Sequence, residues 1–171
     1  ASLCHTKFKS AYFACSGLEN LGATCYMNSV LQQLYMIPAF REGVLGLDLK
    51  GHKGEYLWEL QKLFTQMHSG ISKYASTQDF VNKLEIGGCP INTSVQMDAM
   101  ELFEAVVNKT SHDVRALQQN GNQADFVDDI FGYKFCKMII PSGCPHTRES
   151  LTSSTSISLS IKGKPTLLMS L

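Results

Sequence analysis

The chain has 171 residues with 15 Lys plus Arg against 15 Asp plus Glu, and a formal net charge of zero. That balance offers no broad attraction for nucleic acid or a charged membrane surface, and neither partner is expected. No apolar run approaches the roughly 18 residues needed to span a bilayer, and the length suits one domain or part of a larger one.

Residues 1–16 are mixed and aromatic and read as an irregular lead-in without the apolar core of a signal peptide. Six cysteines, Cys4, Cys15, Cys25, Cys89, Cys136 and Cys144, permit three disulfides. A core-rich chain of this length does not need them, so a reducing, intracellular setting is expected, cytoplasmic first and nuclear second. From Cys25 to about Met36, apolar residues at Met27, Val30, Leu31, Leu34 and Tyr35 predict a helix that Pro38 ends. Glycines at 43, 46, 51 and 54 predict a loop over 41–54. A second helix is expected from Glu55 to about His68, with Tyr56, Leu60, Leu63, Phe64 and Met67 on its core face and Gly70 past its end.

Ser76-Thr77-Gln78-Asp79 has the shape of a capping box opening a short helix through Leu84, and Gly87-Gly88-Cys89-Pro90 breaks the chain. Ser94 is placed to cap a third long helix to about Asn108, burying Val95, Ala99, Leu102, Phe103 and Val106. Asn120-Gly121-Asn122-Gln123 is a polar turn. Near residue 129 the pattern changes: 130–140 is aromatic and β-branched, and Ser153 to Ile161 alternates as a half-buried strand. The apolar run from Leu167 to Leu171 suggests a break inside a domain.

The residues richest in chemistry surround Cys25. A cysteine at a helix N-terminus sits at the positive end of the helix dipole, which favours thiolate over thiol. Asn20, five residues upstream, supplies an amide, and Gly22 leaves the backbone room for an approaching substrate. Nucleophile plus amide donor is half of an acyl-transfer site; the other half, a histidine base, is not evident. A buried structural cysteine is the plain alternative for Cys25, and a simple turn residue for Asn20.

Gly17-Leu18-Glu19-Asn20-Leu21-Gly22-Ala23-Thr24-Cys25-Tyr26-Met27-Asn28-Ser29 resembles the cysteine box of the ubiquitin-specific proteases. The following Val30 to Pro38 is similar to the fat-facets-like branch of that family. Gln96-Met97-Asp98-Ala99-Met100-Glu101-Leu102-Phe103 resembles its second box, and Gly143 to Ser150 its finger tip. The resemblance covers about residues 12 to 171, the first half of such a catalytic domain.

It implies an α+β, papain-like cysteine peptidase fold: a helical thumb at 1–129 and the start of β-rich fingers at 130–171. It also implies a thiol-dependent deubiquitinase acting on ubiquitin and ubiquitinated proteins. Cys25 matches the nucleophile and Asn20 the oxyanion-holding side chain. Gln96, Asp98 and Glu101 match positions near the channel for the ubiquitin tail. The tail's arginines suit acids on one helix face, although Asp98 and Glu101 read equally well as charges favouring a helix start.

The family's His box finds no match among His5, His52, His68, His112 and His146, so the chain is expected to be a fragment inactive by itself. A non-catalytic ubiquitin-binding or regulatory module is the alternative. No cofactor is expected. Pro141 stands where a zinc-binding Cys-x-x-Cys ending at Cys144 needs its first cysteine, and Cys144 with His146 is a weak ligand pair. Cys136 reads as strand packing, and His112 beside Asp113 as an exposed pair rather than a dyad. A secreted papain-type protease is disfavoured by the missing Cys-Gly-Ser-Cys-Trp signature.

Overall fold

The computed structural model describes residues 16–118, 125–143 and 146–169. The lead-in before Ser16, the Asn120 turn and Cys144 lie outside the described residues. Two compact units are present, Ala1–Ile130 and Phe131–Leu171.

In the first unit β1 (Gly17–Leu18) leads to α1 (Cys25–Met36) and α2 (Pro38–Leu45). Ile37 between the helices is extended (φ −80°, ψ 108°), as a residue before proline must be, and Pro38 opens α2 where its missing N–H costs nothing. Pro38 therefore ends one helix and starts another, so part of the expected 41–54 loop is helical. Gln61 holds the end of α2, its Nε2 donating to the carbonyls of Val44, Leu45 and Leu47 at 2.9–3.2 Å.

Next comes α3 (Tyr56–Ser69), ended by Gly70 in the left-handed conformation at φ 59°. It agrees with the apolar spacing and the glycine stop read in the sequence. β2 (Tyr74–Ala75) then returns to pair in parallel with β1, Gly17 opposite Tyr74. α4 (Gln78–Val81) is a single turn whose N-cap is Thr77, without a side-chain cap bond. The Ser76 capping box does not form: Ser76 Oγ accepts only a long 3.5 Å bond from the Gln78 N–H. β3 (Glu85–Ile86) and β4 (Cys89–Pro90) make a small antiparallel hairpin.

The third long helix, α5 (Ala99–Gln118), starts later than expected and runs further. Ser94 is not its cap; its N–H donates instead to Asn92 Oδ1 in a local turn at 3.0 Å. Asp98 takes the capping role, accepting the N–H groups of Met100 (2.6 Å) and Glu101 (3.4 Å) on Oδ1. Val95, outside the helix, is 52% exposed rather than buried, and Ala99 is exposed too. Leu102 and Val106 are buried as expected. A short α6 (Phe126–Phe131) follows.

The core lies between α1, α2, α3 and α5. Met27, Leu31, Phe40, Val44, Leu60, Phe64, Met67, Leu102, Val106 and Val107 are fully buried. Phe64 sits at its centre, edge-on to Tyr35 (5.4 Å between centroids) and to Phe40 (6.1 Å). Each such side chain taken from water contributes about 1.5–3 kcal/mol, so this cluster fixes how α1 lies against the other helices.

In the second unit β5 (Tyr133–Ile139) pairs antiparallel with β6 (Arg148–Ser154), Cys136 opposite Leu151. The expected strand at 153–161 is displaced: β6 ends at Ser154, and Ile157 and Ile161 are 54% and 75% exposed. Cys136 is exposed rather than packed. A two-stranded ribbon covers neither of its own faces, so alternation of Ser with Ile there does not produce burial. Among the described residues no helix is long and apolar enough to cross a membrane.

Candidate active site

The turn Asn20–Thr24 is held by its own polar side chains. Asn20 Oδ1 accepts the N–H of Gly22 (3.1 Å), the N–H of Thr24 (3.2 Å) and the Thr24 hydroxyl (3.0 Å). Thr24 Oγ1 in turn accepts the Leu21 N–H at 3.0 Å, and Thr24 is wholly buried. Backbone N–H groups only donate, so the Asn20 atom they meet must be oxygen. Its amide nitrogen Nδ2 takes no part in these bonds, and no described residue accepts from it.

Two further anchors fix this turn. Asn28, one helical turn into α1, donates from Nδ2 to the carbonyls of Glu19 (3.0 Å) and Leu18 (3.4 Å). The Ala23 N–H donates to Thr93 O at 2.7 Å, tying the turn to the 91–98 loop. Gly22 allows that approach: its φ is +131°, and a Cβ there would meet Thr93 O at 2.9 Å. Only glycine meets both conditions.

Cys25 follows as the first residue of α1, exposed and not in a disulfide. The N–H groups of its first turn, that of Cys25 included, lack intrahelical acceptors as in any α-helix, and no side-chain hydrogen bond caps this end. Uncommitted N–H groups and the dipole together favour negative charge beside the sulfur. The Tyr26 phenol is pushed above its ordinary pKa, first by burial and then by the neighbouring Cys25 charge. The Tyr26 hydroxyl is buried without a partner among the described residues.

Gln96, 71 residues away in sequence, donates from Nε2 to Cys25 Sγ at 3.7 Å. Asp98 is the α5 cap and Glu101 stands exposed in the first turn of α5. Gln96 thus meets Cys25 directly, while Asn20 is tied to Thr24, the residue before Cys25. For Asp98 the structure shows a capping bond, the plain alternative raised for it above. Sequence reasoning passed over Thr24, Asn28 and Thr93. An Asn-x-Gly-x-Thr turn is a readable signal for Thr24; the Thr93 contact leaves no local trace.

The Nδ1 partners of His52, His68 and His112 all lie away from Cys25. His52 Nδ1 meets Glu55 at 3.0 Å, His68 Nδ1 the Tyr35 hydroxyl at 3.1 Å, and His112 Nδ1 Asp113 at 2.9 Å. His112 is exposed, in keeping with the surface pair expected of it. No group of three or more His, Cys, Asp or Glu side chains among the described residues can hold a metal ion.

Helices packed beside small sheets, with an exposed cysteine opening a core helix behind a polar turn, form an α+β fold of papain-like cysteine peptidase type. The family model for ubiquitin carboxyl-terminal hydrolase matches residues 16–169. The chain belongs to that family. Ubiquitin carboxyl-terminal hydrolase 9X of Mus musculus is 30% identical over 201 residues, covering 91% of this chain and 8% of that protein. Ubiquitin carboxyl-terminal hydrolase 26 of Arabidopsis thaliana is 32% identical over 161 residues, covering 91% of this chain and 14% of that protein. The chain thus spans a small part of the curated relatives it matches. In fold it is similar, at a TM-score of 0.72 and 21% identity, to a chain of the SAGA Ubp8/Sgf11/Sus1/Sgf73 DUB module bound to ubiquitin aldehyde. That match covers 93% of this chain and 38% of the other.

Proposed function

We propose that the chain carries the nucleophile and oxyanion half of a thiol-dependent deubiquitinase, with ubiquitin and ubiquitinated proteins as its partners. The observation that carries this reading is the side-chain orientation of Asn20. Its oxygen is spent on the turn that ends at Thr24, next to Cys25, and its amide N–H is left to donate. Cys25 Sγ attacks the carbonyl carbon at the ubiquitin C-terminus, and the carbonyl electrons move to oxygen. Asn20 Nδ2 and the Cys25 N–H hold that oxyanion; one such donor typically contributes ~3 kcal/mol to the transition state. The C–N bond then breaks, the substrate lysine amine leaves with a proton, and water hydrolyses the thioester.

The proton carrier in this reading is a histidine supplied from outside these 171 residues. Asp98 Oδ2 and the Glu101 carboxylate, which have no partner among the described residues, are assigned to the cationic tail of ubiquitin. The alternative reading is a ubiquitin-binding or regulatory module without catalysis.

The test is incubation of the chain with ubiquitin bearing an electrophilic C-terminus, with and without free imidazole as a surrogate base. An adduct formed by the wild type and not by Cys25→Ala supports the nucleophile, and acceleration by imidazole supports the missing base. Ubiquitin binding with no adduct under either condition favours the module. Neither binding nor adduct overturns both readings.

A further inference from the structure

We propose that Gln96 is a positioning residue for the Cys25 sulfur, donating a hydrogen bond that favours and aims the thiolate, and not solely a contact for the substrate tail. The inference rests on reading Cys25 as the nucleophile. Three observations carry it. Gln96 Nε2 lies 3.7 Å from Cys25 Sγ, within range for a bond to sulfur. The segment bearing Gln96 is fastened at both ends: at Thr93, which accepts the Ala23 N–H at 2.7 Å, and at Asp98, which caps α5. Both fasteners join elements that flank the sulfur, since Ala23 precedes Cys25 and α5 packs on α1. The backbone bearing Gln96 is thereby placed beside the helix end, from which its exposed amide reaches the sulfur.

The chemistry gives the contact a direction. An amide N–H is a donor, and a thiolate accepts far better than a thiol, so the bond favours the charged nucleophile. It also restrains the sulfur's rotation about Cα–Cβ, which otherwise costs attack geometry.

The test measures alkylation of Cys25 by iodoacetamide at fixed neutral pH, resolved by peptide mass spectrometry, in the chain and in Gln96→Met, Gln96→Glu and Gln96→Lys. Exposed Cys89 and Cys136, read in the same samples, are internal references for reagent and pH. Gln96→Met keeps length and removes the N–H; Cys25 alkylation should slow by about tenfold, the factor for a hydrogen bond to a charged group. Gln96→Glu, with an anion against the sulfur, should be slower still, and Gln96→Lys should restore at least the original rate. The order Lys, Gln, Met, Glu, after correction against Cys89 and Cys136, supports the inference; equal rates for Gln and Met, or faster reaction in Met, overturn it. Because no ubiquitin is present, failure here is distinct from failure of the deubiquitinase reading, which the ubiquitin adduct decides.

Discussion

Asn20 Oδ1 accepts the backbone N–H of Thr24 at 3.2 Å, and this bond settles which end of the Asn20 amide remains free. Oxygen and nitrogen of one side chain then have separable tasks, one in the fold and one in the proposed chemistry.

That separation predicts opposite behaviour for two substitutions. Asn20→Asp keeps an oxygen for Gly22 and Thr24 and removes the Nδ2 donor. Its folding stability should stay close to that of the parent, while labelling by a C-terminally electrophilic ubiquitin falls by about a hundredfold. Asn20→Ala loses the turn bonds as well and should also cost about 1–3 kcal/mol in denaturant unfolding. Equal labelling by Asn20→Asp and the parent would remove Asn20 from the oxyanion role.

Gly22→Ala places a methyl 2.9 Å from Thr93 O at a φ of +131°. The backbone must shift, and the Ala23–Thr93 bond is the contact in its path. Destabilisation of about 1–3 kcal/mol is expected, with faster hydrogen exchange at the Ala23 amide. Unchanged exchange there would show that the two loops do not depend on this glycine.

Tyr56 tests the polar part of the core. Its buried hydroxyl meets Val106 O and Thr110 Oγ1, each at 3.1 Å, and burial raises its pKa far above the ordinary value. The fold favours the neutral phenol, so its contribution is intact below the unfolded pKa of about 10 and is lost as pH rises beyond it. Tyr56→Phe should cost about 1 kcal/mol at neutral pH, because Thr110 still donates to the Val106 carbonyl at 2.7 Å. The gap between parent and variant should close between pH 10 and alkaline unfolding. Urea midpoints across pH 7–11 measure it.

Phe64 is fully buried between Tyr35 and Phe40, whereas Ile71 is 89% exposed. Phe64→Ala should cost about 3–5 kcal/mol and loosen α1 with it. Ile71→Ala should stay within about 0.5 kcal/mol. Comparable losses for the two would contradict the placement of the core.

The local signals were strong where the physics is local. The apolar spacing at Met27, Leu31 and Leu34 specifies α1, and Gly70 stops α3, because side-chain period and left-handed backbone are properties of a few adjacent residues. Ser94 and Asp98 were both plausible caps for α5. Asp98 is the cap in the structure, while Thr93 accepts the Ala23 N–H outside the helix. At 153–161 the alternation of Ser with Ile was misleading, since period two marks burial only where a second layer exists to bury against.

The sequence by itself determined the family, through the ordered residues from Gly17 to Ser29, and the presence of a cysteine at the opening of a core helix. Neutral charge and helical periodicity were equally legible. Tertiary structure alone decided how closely Gly22 lies to Thr93 and that Gln96 donates to Cys25 across 71 residues. The reason is one of range. Turn and helix propensities act within a few residues, whereas a contact between distant side chains exists only after burial of α1 against α5 has brought their loops together.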